Sequence, residues 1–113
     1  MQYIVKQLPV HLFWDSDISK LDDVEHYEKI IIRTFERGDI EDIATVHAYY
    51  GKKICSEVLT ESPYLMETAI ILGSAFLEVK KEEFKSFRIS QYYPLELIIA
   101  EMKEAYRTQK NKK

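Results

Sequence analysis

The stretch Asp39-Ile40-Glu41-Asp42-Ile43-Ala44-Thr45-Val46-His47-Ala48-Tyr49-Tyr50-Gly51 decides the fold class. Asp39 is a residue type that caps helix N-termini, because its carboxylate can accept from the free N–H groups of the first turn. Ile40, Ile43, Val46, His47 and Tyr50 recur at helical spacing, and Gly51 stops the run. The same grammar extends in both directions. Upstream, Asp22 and Glu25 have the form of a cap and its reciprocal partner, and Val24, Tyr27, Ile31 and Phe35 make one helical stripe ending at Gly38, which predicts a helix over 22–37. Downstream, 52–60 reads as a shorter helix with Ile54, Val58 and Leu59 inward, and Ser62-Pro63 opens a fourth helix running to Leu77. Apolar residues surround nearly the whole of that fourth helix, so it is expected to be central and buried. Pro94 opens a last helix with Leu95, Ile98, Ile99, Met102 and Tyr106 on one face, suited to packing on its own core or on a second copy. Residues 1–14 read as an extended lead-in, with Leu12, Phe13 and Trp14 anchoring it to the core.

Composition agrees with that pattern. The chain has 113 residues, 46% hydrophobic and 31% charged, with 3 Gly and 3 Pro. That is enough apolar side chain for one core, too many charges for a membrane span, and too little turn material for a sandwich or barrel. The expected fold is all-α, a compact bundle of about five helices with a short extended N-terminal segment, in a single domain over 1–113. A single cysteine and the absence of an apolar leader point to a reducing, cytoplasmic setting.

Charge is distributed unevenly. Residues 15–42 hold ten acids against four bases, whereas 80–113 hold nine bases against five acids. The acidic half would suit a basic protein partner, with Trp14, Asp15, Asp22, Asp23 and Tyr49 as candidate interface residues. The basic end and the 39–60 unit, which has the dimensions of a helix-turn-helix, allow a DNA-binding alternative through Lys52, Lys53, Arg107 and Lys110. Glu57 and Glu61 on the would-be reading helix oppose it. His11, His26, His47 and Cys55 stand at no metal-ligand spacing, and Asp15 with Asp17 lacks the companions of a magnesium site, so no metal, cofactor or catalytic residue is expected.

Leu8-Pro9-Val10-His11-Leu12-Phe13-Trp14-Asp15, Glu36-Arg37-Gly38-Asp39-Ile40-Glu41-Asp42, Tyr50-Gly51-Lys52-Lys53-Ile54 and Lys80-Lys81-Glu82-Glu83-Phe84 together resemble a small uncharacterised bacterial family whose members begin Leu-Pro-x-x-Leu-Phe-Trp-Asp. The resemblance covers about 8–88 and leaves 89–113, the last helix and basic tail, as an addition. Members are often encoded beside a nucleotidyltransferase-like toxin of the AbiEii type. The resemblance therefore implies an antitoxin or accessory role with that neighbour as protein partner, and it carries over no catalytic residue.

Overall fold

A computed structural model describes residues 1–92, the side chains of 90–92 excepted, together with 102 and 103. The described residues are all-α, with no strand: α1 (Tyr27–Arg37), α2 (Ile40–Tyr50), α3 (Lys52–Glu61), α4 (Glu67–Leu77) and α5 (Lys85–Tyr92). Short 3₁₀ turns at Val5–Gln7, Val10–Phe13 and Ile18–Lys20 precede α1, and another at Lys81–Glu83 precedes α5.

The signals around α2 act as their chemistry requires. Asp39 accepts from the Asp42 N–H at 2.9 Å while the Asp42 carboxylate accepts from the Asp39 N–H at 3.1 Å, a reciprocal box that satisfies two end donors. Asp39→Ala is expected to cost about 1 kcal/mol, read as a lower urea midpoint at unchanged slope. Gly51 ends α2 at φ +88°, a region side chains disfavour, and its own C=O accepts from Cys55 N–H to start α3. At Gly38 a Cβ would lie 2.7 Å from the Thr34 carbonyl, so only glycine lets the chain leave α1 there.

The central element is α1, not the expected helix 63–77. Ile30, Ile31, Thr34 and Phe35 are fully buried, and α1 packs on α2, α3, α4 and the Val10–Phe13 turn. The α4 helix buries Ala69, Ile70, Gly73 and Leu77 on one face and leaves Ile71 48% exposed. It also starts later than expected. Ser62 donates to the Tyr64 carbonyl instead of capping a helix, and Met66, in an extended conformation, immediately precedes α4.

The start of α1 moves as well. Asp22 accepts from the N–H groups of Val24 and Glu25 at 2.8 and 2.9 Å, but its own N–H donates to His26 Nδ1 at 2.8 Å, so His26 replaces Glu25 as the reciprocal partner. The cap holds a single turn, and regular helix begins at Tyr27. Val24, Ile40 and Ile54, each placed on an inward stripe by its spacing, are exposed.

The N-terminal lead-in is coiled into 3₁₀ turns rather than extended, and it is anchored by Ile4, Val5, Leu8, Leu12 and Phe13. Trp14 takes no part in this anchoring, being 70% exposed. A fifth helix is present at Lys85–Tyr92, ahead of the one expected from Pro94. The helix expected from Pro94, with Arg107 and Lys110, lies outside the described residues apart from 102 and 103.

Candidate interaction groove

A groove of about 780 Å³ runs between α1 and α3 and is closed at one end by the C-terminal tyrosines of α2. Its apolar surface comes from Val24, Tyr27 and Ile32 on one side and Ile54 and Val58 on the other, with Pro63 beyond α3. The i, i+4 spacing of Ile54 with Val58, and of Glu57 with Glu61, sets apolar and acidic residues on adjoining lines of α3. Glu28 stands on the α1 side, so carboxylates flank the apolar floor from both walls. No lysine or arginine lines the groove, and none of these three exposed glutamates forms an ion pair among the described residues.

At the closed end the polar groups are engaged with one another. Asp23 is fully buried, and its carboxylate accepts from Ile4 N–H at 3.0 Å, Val5 N–H at 3.3 Å and the Tyr49 hydroxyl at 3.2 Å. The Tyr50 hydroxyl donates to the Asp23 carbonyl at 2.7 Å, and the Asp23 N–H donates to the Met1 carbonyl at 2.8 Å. Burial, then the Asp23 charge, pushes both phenols above the usual tyrosine range and keeps them as donors. The rings support each other: Tyr49 and Tyr50 meet edge-on at 4.9 Å, and Tyr3 stacks on Tyr49 at 5.7 Å.

The candidate interface residues therefore do not form one surface. Asp23 is interior, because a charge removed from water needs several donors and finds them here, so it cannot contact a partner. Tyr49 is half-buried, as is Tyr50. Asp22 caps its own turn and pairs with the Met1 amine.

Trp14 and Asp15 make a separate polar patch. Arg33 Nη2 lies 2.5 Å from the Asp15 carboxylate, Lys29 Nζ lies 3.6 Å from it, and the Arg33 guanidinium is 5.9 Å from the Trp14 ring. The hydrogen bond and charge of Arg33 lower the Asp15 carboxyl from 3.8 to about 2. Because the folded-state value is the lower one, this contribution is present above pH 3.8 and is lost as pH falls through about 2. Acid titration is thus expected to destabilise the protein between these limits, and Asp15→Asn should make that segment of the stability profile shallower, leaving the share of Asp22, which the Met1 amine lowers to about 2 as well; an unaltered profile would contradict the pairing.

The α2–α3 unit departs from a helix-turn-helix, since the single residue Gly51 replaces the usual turn of three or four residues. Lys52 and Lys53 are exposed, but Lys52 Nζ is 3.3 Å from Glu78, while Glu57 and Glu61 face the groove. Burial raises the Cys55 thiol to about 11, so native protein should leave a thiol-reactive disulfide reagent unconsumed at neutral pH and react only on unfolding. Among the described residues no three His, Cys, Asp or Glu side chains converge as a metal would need. Arg107 and Lys110 lie outside the described residues.

Sequence reasoning missed the groove because spacing alone places Val24 and Ile54 in the core. The available signal was the acid pair Glu57 and Glu61 interleaved with Ile54 and Val58.

Residues 8–59 match a family of unknown function (DUF6922). The match spans α1, α2 and nearly all of α3, hence both walls of the groove up to Leu59, and it stops short of α4. No curated protein and no solved structure matches the chain.

Proposed function

We propose that the protein is a non-enzymatic protein-interaction domain, and that it serves as antitoxin or accessory component to a neighbour-encoded, nucleotidyltransferase-like toxin by covering a basic surface of that partner. The observation that carries the interaction reading is the groove between α1 and α3, an accessible apolar floor flanked by three glutamates without an ion-pair partner among the described residues. Apolar surface left open beside one sign of charge is how partner sites on soluble domains present themselves. The toxin-operon role rests on the resemblance of the Leu8–Asp15 segment and its companions. A DNA-binding role is less well supported, because acids on α3 would face phosphates.

Co-expression with the protein encoded beside it tests the reading. A stoichiometric complex that survives about 0.3 M salt is expected, since apolar burial is little screened. Failure of the two proteins to associate would overturn it.

A further inference from the structure

We propose that the groove between α1 and α3 binds a cationic amphipathic helix of the partner protein, with apolar residues on the floor and lysine or arginine side chains reaching Glu28, Glu57 and Glu61. This rests on the interaction reading above and names the chemistry of the partner segment. Two independent features of the groove select that occupant.

The first is where its polar groups are free. A small ligand is oriented by a few unsatisfied polar atoms inside its pocket. Here the interior polar groups, the Asp23 carboxylate and the Tyr49 and Tyr50 hydroxyls, are already engaged with Ile4, Val5 and one another. Among the described residues, the uncommitted groups are carboxylates at the edges. An elongated guest with an apolar stripe and charged flanks meets both conditions, because lysine and arginine lay their alkyl stems along apolar surface while the charged head stays wet.

The second is spacing. Both walls are helices, and α3 offers Ile54 with Val58 and Glu57 with Glu61 at the i, i+4 period. A third helix laid between them matches that period on its own i, i+3, i+4 positions, as helix-in-groove recognition requires. The sign of the rim excludes an acidic guest.

The probe is a synthetic peptide of about 18 residues with leucines at i, i+3, i+4 and i+7 and lysines on both flanks, paired with a control in which glutamates replace the lysines. Each is titrated into the full chain and followed by fluorescence anisotropy. The full chain is expected to bind the lysine peptide at least about tenfold more tightly than the glutamate peptide, with the preference shrinking as salt rises. E28K/E57K/E61K changes only exposed side chains and should keep its helical circular dichroism while reversing the preference. Ile54→Ser should weaken the lysine peptide without altering charge.

The inference is overturned by equal binding of both peptides, binding of neither, a preference unchanged in E28K/E57K/E61K, or self-association of the chain abolished by that variant, which would make a second copy the occupant. If the co-expressed partner still associates equally well with E28K/E57K/E61K, the groove assignment falls and the interaction function stands. If no partner associates with the wild type, the function itself falls.

Discussion

Asp23→Ala is expected to lower the unfolding free energy by about 3 kcal/mol or more, because three donors lose a charged acceptor in a water-excluded site. The backbone N–H groups of Ile4 and Val5 cannot find another partner without uncoiling the first 3₁₀ turn, and the Tyr49 hydroxyl loses its acceptor with them. For a domain of this size the melting temperature should drop by roughly 12 °C or more. Asp23→Asn keeps the shape and one acceptor oxygen, so it should retain part of the stability, and Tyr49→Phe should cost about 1–2 kcal/mol because it deletes a single bond to the carboxylate. Thermal and urea unfolding read all three. A loss below about 1 kcal/mol for Asp23→Ala would mean the carboxylate is not the lock on the N-terminal segment.

Phe35→Ala is expected to cost about 4 kcal/mol, near the upper range for a large core residue, because the fully buried ring sits on α1, which packs against α2, α3, α4 and the Val10–Phe13 turn. Ile71→Ala on α4 should cost less than about 1 kcal/mol, since that side chain is 48% exposed and loses little burial. The contrast between them tests which helix organises the core. Comparable losses would restore α4 to the centre.

How much of this was readable in advance depends on how far the deciding contacts reach along the chain. The α2 and α3 helices were readable because their signals are local: the Asp39 cap acts on the first turn of its own helix, and Gly51 acts at its own backbone. Ser62-Pro63 misled for the same reason, its local pattern allowing a cap that the chain does not use, with α4 beginning only at Glu67. The Asp22 motif marks a capped turn, but whether that turn continues as helix depends on what covers it, and regular helix waits until Tyr27.

Asp22 and Asp23 show the limit most clearly. The two are adjacent and chemically identical, and one is a turn cap while the other is buried. The difference comes from Ile4, Val5, Tyr49 and Tyr50, about twenty or more residues away, which no local spacing announces. Trp14 and Phe13 diverge similarly, with Phe13 in the core and Trp14 exposed beside Arg33. The groove was hidden because apolar residues on its walls, Val24 and Ile54, have the periodicity of core residues. Periodicity reports that a face is apolar and does not report whether the chain itself covers it.

Hydrogen–deuterium exchange of the full chain, alone and mixed with the neighbour-encoded protein proposed as its partner, tests the groove assignment most directly. Added protection is expected only at the groove walls, residues 24–32 and 54–63, with the Trp14 patch unchanged. Protection centred on Trp14 and Asp15, with both groove walls exchanging as in the free protein, would contradict it.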